Sequence, residues 1–441
     1  MATRQNVVVG LGRSGLSAAR WLAQQGETVV VTDSRLTPPG LAELNACGAS
    51  VVTHLGGFDL SVLESADRIV LSPGVSRQEL IVREALSRGL SVVGDVELFA
   101  QAQTAPVVAI TGTNGKSTVT TLVAEMAKTA GIAALAGGNL GEPALDLLAH
   151  PIPKFFVLEL SSYQLESTES LKLTAAAVLN VTADHMDRYQ TIDAYASAKA
   201  RIFAHAALAV INIDDPLVTQ MPRAGQASVG FSVQAAAADY SLISINGITS
   251  FAHCGRALMP LQEMRLPGRH NAANALAALA LGDAMGLPME AMLRTLTVFA
   301  GLPHRSQMVA ERGGVRFIDD SKGTNVGATI AAVSGLIEPL VVIAGGDGKG
   351  QDFSPLAAAF SGRVRHAVLI GRDRDQLASA LAGVCDITLA DDMDAAVQCA
   401  FKVAKSGDIV LLSPACASLD MFQDYADRGS RFAVAAKGLL Q

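Results

Sequence analysis

Residues 107–118, VVAITGTNGKST, constrain this chain more than any other stretch. Residues 107–110 are all apolar and predict a buried strand. Gly112, Thr113, Asn114, Gly115, Lys116, Ser117 and Thr118 follow, and the apolar periodicity of residues 119–126 predicts a helix. A strand feeding a Gly-rich turn that opens a helix is suited to cradle a polyphosphate. The turn amides and the helix N-terminus face the anion, and the lysine adds a point charge. The Ser or Thr after such a lysine reaches a Mg²⁺ ion. The strict spacing G-x-x-x-x-G-K-[ST] would place glycine at position 110, where this chain has Ile110. The segment is therefore either a variant with a shorter lead-in or no phosphate loop.

The 441 residues are enough for about three domains, and half of them are apolar, so each domain can bury a core. The net charge of −7 argues against a nucleic-acid surface. An anionic ligand must then be held by local Lys, Arg and backbone N–H groups. Five cysteines show no metal-like spacing and read as reduced thiols packed as small hydrophobes. The N-terminus leads almost directly into an apolar strand, residues 7–9, with no signal-peptide pattern. No apolar run approaches the roughly 18 residues of a membrane span. The expectation is a cytoplasmic protein with no membrane partner.

Three blocks emerge, 1–94, 95–300 and 301–441, each alternating short apolar strands with helical patterns. Such alternation predicts α/β domains with parallel sheets. Strands are expected at 7–9, 28–32, 68–71 and 91–93 in the first block. In the second they are expected at 155–160, 176–180 and 209–213, followed by an antiparallel-looking insertion over 228–266 and a helix over 271–285. The third block has strands at 315–318, 340–344, 366–370 and 409–413.

Polar clusters stand at many of these strand ends, where ligands of open parallel sheets bind. Gly10-Leu11-Gly12-Arg13-Ser14-Gly15 with Asp33 is a dinucleotide-type fingerprint, and a UDP group also offers a diphosphate and a ribose. Glu159 ends an apolar strand on the same edge as the phosphate loop, where a carboxylate can hold Mg²⁺. His185 stands between Asp184 and Asp187, and either a metal or substrate contact or a structural hydrogen bond fits it. Lys199 reads as an ordinary solvated helix residue. In the last block Lys322, Thr324, Lys349 and Ser418 sit in three strand-end loops, and these groups suit a carboxylate.

Taken together, the chain resembles the Mur ligase family along its whole length. The resemblance is carried by GLGRSGLS at 10–17, SPGV at 72–75, GDVELF at 94–99, GTNGKST at 112–118, LELSSYQL from 158 and NVTADHMDRY from 180. It continues with GRHNAANALAA from 268, GLPHR from 301, DDSKGTN from 319, GGDGKG from 345 and SPACASLD from 413. GTNGK is shared by other ATP-dependent amide ligases; GLGRSG and SPACASLD narrow the likeness to the D-glutamate-adding branch.

The resemblance implies a Rossmann-like first domain for a UDP-sugar, a central P-loop ATPase-type domain with a mainly parallel sheet, and a Rossmann-like third domain for the amino acid. It also makes the short lead-in at Ile110 expected. By the same resemblance Ser14, Asp33, Ser34, Arg35, Ser72 and Gly74 lie at the UDP group. Lys116 meets the ATP phosphates, and Ser117 and Glu159 hold one Mg²⁺. Asn274, Arg305 and Asp320 hold the rest of ATP. Asn139 and His185 surround a second Mg²⁺ and the reacting carboxylate, and Lys199 matches a carbamylated, metal-holding lysine. Thr324, Lys349, Ser418 and the backbone near Tyr425 match the D-glutamate site. The implied substrates are UDP-N-acetylmuramoyl-L-alanine and D-glutamate, and the implied chain is a monomer.

Carbamylation carries a physical requirement. With an ordinary pKa of about 10.4, under ~0.1% of a lysine is neutral at pH 7, so burial or a neighbouring cation must favour the free amine. Ser306-Gln307, Gly323 and Tyr425 depart from the usual family pattern without removing a proposed catalytic group. The rival readings are an NAD-dependent oxidoreductase carrying a phosphate-binding module, a nucleotide-regulated switch and, closest, another amide ligase of the same architecture.

Overall fold

The computed structural model describes residues 4–48 and 51–439. Chain contacts divide it into two compact units. The first comprises the chain up to Asn180, Asp193–Pro260 and Ala275–Thr295. The second comprises Val181–Ile192, Leu261–Asn274 and the chain from Leu296 onward.

The first unit holds two sheets. One contains β1 (Gln5–Val9), β2 (Thr28–Asp33), β3 (Val51–Leu55), β4 (Arg68–Leu71) and β5 (Ser91–Val93). They pair all-parallel in the order β3-β2-β1-β4-β5. Val7, Val8 and Val9 are fully buried, as expected for a strand covered on both faces. The Arg13–Gln24 helix leaves the end of β1 so tightly that a Cβ on Gly15 would lie 1.9 Å from the Gly10 carbonyl oxygen.

The second sheet contains β6 (Val107–Thr111), β7 (Ala134–Gly138), β8 (Phe155–Glu159), β9 (Leu173–Val178), β10 (Ala206–Asn212), β11 (Ala227–Ser232), β12 (Tyr240–Ile245), β13 (Ile248–His253) and β14 (Arg256–Pro260). Its order is β14-β13-β12-β11-β10-β9-β6-β8-β7. β6 lies between β8 and β9, both parallel to it, so the loop after β6 opens where the chain winds to either side. The region expected to be antiparallel is only partly so. β11 and the start of β12 continue the parallel sheet, and only β12, β13 and β14 form an antiparallel meander. The strand expected at 176–180 runs instead over Leu173–Val178, which leaves Asn180 in the following loop.

The second unit holds β15 (Gln307–Arg312), β16 (Val315–Asp319), β17 (Leu340–Gly345), β18 (Val364–Ile370), β19 (Asp386–Leu389) and β20 (Ile409–Leu412). Their order is β15-β16-β20-β17-β18-β19, parallel except for β15 at one edge. Apolar layers on both faces bury β17 and β20 completely. Among the described residues no helix is long and apolar enough to cross a membrane, and all five cysteines are unpaired.

Candidate active site

The loop after β6 is held by its own backbone and by the end of β9. Gly115 adopts φ +86° as it caps the Lys116–Thr129 helix, a conformation that favours glycine. The Thr113 N–H donates to the Asn180 carbonyl at 2.9 Å and the Asn114 N–H to the Asn180 side-chain oxygen at 2.8 Å. Asn180 returns a bond to the Asn114 carbonyl at 3.1 Å. Asn180, which motif reading left without a role, is thus the brace of this loop. Lys116 folds back over it, donating to the carbonyls of Gly112 at 2.9 Å and Thr113 at 2.8 Å.

Lys199 corrects a sequence expectation. It is 1% exposed rather than solvated, with its Nζ 2.8 Å from the Gly112 carbonyl and 4.2 Å from the Tyr195 ring centroid. Two ammonium groups, Lys116 and Lys199, therefore converge on one carbonyl oxygen. Burial and a neighbouring cation are the two conditions that favour an uncharged amine.

Glu159 ends β8, beside Ile110 in the register of the sheet. Its Oε1 accepts from Asn139 Nδ2 at 2.6 Å, while its buried Oε2 has no hydrogen-bond partner. A buried carboxylate oxygen without a donor is costly unless a cation completes it. The residues present thus fit a Mg²⁺ site. Among the described residues no three His, Cys, Asp or Glu side chains gather as a metal centre. Such a site would lean on phosphate and water oxygens, as Mg²⁺ sites usually do.

At the first sheet, a 530 Å³ cleft is lined by Ser14, Asp33, Ser34, Arg35, Ser72 and Gly74, with Asn139 from the loop after β7 and Gln164 from the Ser162–Glu166 helix. All six residues that the family resemblance placed at the UDP group line it. Asp33 accepts the Leu11 N–H at 2.7 Å and is gripped by Arg35 from two nitrogens, at 2.8 and 2.7 Å. Although burial opposes it, these bonds hold the Asp33 carboxyl down at about 2. Behind the cleft, burial pushes the Asp95 carboxyl up against the opposing pull of Ser14 and Gln164.

The second unit gathers the remaining residues. β16, β20 and β17 are neighbours, so the loops with Lys322 and Thr324, with Ser418 and with Lys349 share one edge. Lys322 Nζ lies 3.8 Å from the Tyr425 ring centroid. Asp320 is partly buried, its carboxylate accepting from Ser413 Oγ at 2.9 Å and from the Ser306 N–H at 3.1 Å. Burial pushes its carboxyl up to about 7, against the pull of these bonds and of the Arg305 charge. Asn274 is buried on the Arg269–Ala284 helix. His185 adopts φ +58° beside Asp184, which receives Lys349 Nζ at 3.6 Å and Asn325 Nδ2 at 3.2 Å.

Arg428 escaped sequence reading altogether. It is fully buried, and its guanidinium bonds Ser321 Oγ at 3.0 Å, the Ser321 carbonyl at 2.8 Å and the Cys416 carbonyl at 3.1 Å. It ties two of the strand-end loops together, and burial pulls it down to about 10. It lies on the closing helix, 12 residues from Cys416 and 107 from Ser321.

Family profiles match in chain order. Residues 4–94 match a MurD-like Mur ligase N-terminal domain, 110–282 a Mur ligase middle domain and 304–416 a Mur ligase glutamate ligase domain. The UDP-N-acetylmuramoylalanine–D-glutamate ligase of Nitrosococcus oceani is 49% identical over 438 residues, covering 99% of this chain and 97% of its own. This chain belongs to the Mur ligase family. The similarly named enzyme of Methylobacillus flagellatus is 51% identical, again over 99% of this chain and 97% of its own. Among solved Mur ligases, the UDP-N-acetylmuramate–alanine ligase of Thermotoga maritima superposes with TM-score 0.63 at 19% identity, over 99% of both chains. The MurF ligase of the same organism, solved with ADP, gives 0.62 at 17%, over 99% of this chain and 98% of its own. These two likenesses establish the Mur ligase fold. Family membership also sets aside the oxidoreductase and switch readings.

Proposed function

We propose that this Mur ligase adds D-glutamate to UDP-N-acetylmuramoyl-L-alanine with ATP, in the synthesis of peptidoglycan precursors. The observation that carries the reading is near-full-length identity of about half to relatives bearing that enzyme's name. A free carboxylate is a poor acyl donor because oxide is a poor leaving group. Transfer of the γ-phosphoryl group to it makes an acyl phosphate. The amine of D-glutamate attacks that carbonyl, and phosphate leaves from the tetrahedral intermediate. The protein's task is positioning and charge neutralisation.

In this reading Gly112–Thr118 cradles the polyphosphate, with Lys116 as its point charge. Ser117 and Glu159 would hold Mg²⁺, which supplies charge neutralisation at the phosphates. Asn139 orients Glu159. A second Mg²⁺ near His185 and carbamylation of Lys199 belong to the same proposal, supported for Lys199 by its burial beside Lys116. Ser14, Asp33, Ser34, Arg35, Ser72 and Gly74 take the UDP moiety. Asn274, Arg305 and Asp320 take the rest of ATP, and Lys322, Thr324, Lys349, Ser418 and Tyr425 take D-glutamate. We assign these tasks to 1–94, 95–300 and 301–441, and place a monomeric enzyme in the cytoplasm.

Phosphate release with UDP-N-acetylmuramoyl-L-alanine and ATP tests the reading. Release should require D-glutamate, and equal release with L-glutamate or no amino acid would sink it.

A further inference from the structure

The loop carrying Asn139 is held at both ends. At one end Asn139 donates its N–H to the Glu159 carbonyl at 2.8 Å and its amide to Glu159 Oε1 at 2.6 Å. At the other, the Asp146 carboxylate accepts the Ser17 hydroxyl at 2.6 Å and Arg20 Nη2 at 3.0 Å. Arg13, Ser17 and Arg20 share one face of the Arg13–Gln24 helix, being four and three residues apart. Arg13 reaches the Gly141 carbonyl midway along the loop.

The loop has little slack. The Gly138 N–H closes on the Glu142 carbonyl at 2.8 Å and the Asp146 N–H on the Pro143 carbonyl at 3.0 Å. A Cβ on Gly138 would stand 2.4 Å from the Glu159 carbonyl oxygen. None of Ser17, Arg20 or Asp146 has a task in the reaction as proposed. Asp146 and Arg20 are both partly exposed, and such pairs add little to overall stability. Their placement therefore matters through what the loop holds.

We propose that Asp146 is a positioning residue for the Mg²⁺–nucleotide site. Pinned to the Arg13–Gln24 helix, it holds residues 138–146 so that Asn139 keeps one oxygen of Glu159 engaged and leaves the other for the metal. The proposal rests on the reading of Glu159 as a Mg²⁺ ligand. Partners that orient a metal ligand carry much of a site's affinity, and their loss costs about 10- to 100-fold.

Calorimetric titration of the full-length protein with MgADP, and with ADP in excess EDTA, tests it. Asp146→Ala should weaken MgADP about 10-fold while leaving metal-free ADP affinity and the melting temperature near wild type. Arg20→Lys should retain wild-type affinity and Arg20→Ala should lose part of it. Unchanged MgADP affinity in Asp146→Ala, with a loss in Glu159→Gln, overturns the positioning role and leaves the metal reading standing. If Glu159→Gln also binds MgADP normally, the metal reading itself falls. Equal weakening of metal-free ADP also overturns the proposal. Should Asp146→Ala fail to fold, Ser17→Ala with Arg20→Ala removes the same bracket from the other side.

Discussion

The two glycine-rich loops of the first unit share one grammar and reach opposite chemistry. Each follows a buried parallel strand and opens a helix. At the first, the charged groups Asp33 and Arg35 are already paired with each other. At the second, Lys116 and Lys199 crowd one carbonyl, and Glu159 keeps one oxygen without a donor. The backbone turn offers amides in both cases. What each site can hold is set by the charge that neighbouring strand ends bring to it. In the proposed function the first meets the UDP group with paired charges, and the second meets the polyphosphate and its metal.

The largest expected effect separates the loops directly. Lys116→Ala should lower phosphate release by roughly 10³-fold, the scale seen when a charge-stabilising group is removed from phosphoryl or acyl transfer. UDP affinity, measured by calorimetry, should not change. A parallel loss of UDP affinity would mean that the two loops do not act separately.

Gly15→Ala should do the reverse. Its Cβ has no room against the Gly10 carbonyl, so overpacking should cost about 1–3 kcal/mol in denaturant unfolding. The KM for the UDP-sugar should rise more than the KM for ATP. Equal KM values in variant and wild type would show that the Gly10–Gly15 turn does not shape the cleft.

Two aspartates extend the contrast to pH. Asp33 sits at about 2 in the folded protein, below its ordinary 3.8. Its contribution is complete above pH 3.8 and is lost as pH falls through 2. Asp33→Asn should therefore flatten the acid limb of the stability curve, read by urea unfolding at a series of pH values.

Asp320, at about 7, behaves oppositely. Its contribution is complete below pH 3.8 and is lost as pH rises through 7. Asp320→Asn should remove this decline between about pH 4 and 7. If both variants keep the wild-type pH dependence, the electrostatic contrast between the two regions fails.

Much of the fold was legible because its signals are local. Val7–Val9 and residues 107–110 are short apolar runs leading into glycine turns, and such runs read as buried parallel strands whatever surrounds them. β7 escaped because its ALAGG sequence has neither β-branched nor aromatic residues, and its pairing with β8 makes it a strand. The direction of β11 escaped because alternation within a strand carries no record of its partner's direction. In the site, Gly112–Ser117 and Glu159 were legible from strand-end position. Lys199 was not, since nothing in residues 192–200 distinguishes a lysine aimed at Gly112 from one aimed at water.

The sequence alone determined the α/β class, the location of the Gly-rich loop after β6, the strand-end carboxylate and, through whole-chain resemblance, the family. These depend on spacing within about ten residues or on motif order. Only the tertiary structure decided that Asn180 braces the loop, that Lys116 and Lys199 meet at one oxygen, and that Arg428 ties distant loops from the closing helix. Tertiary structure also set Asn139 against one oxygen of the strand-end carboxylate and left the other, buried oxygen without a hydrogen-bond donor. Hydrogen bonds and desolvation act over a few ångströms in space, and residues that meet at that distance can be a hundred apart along the chain.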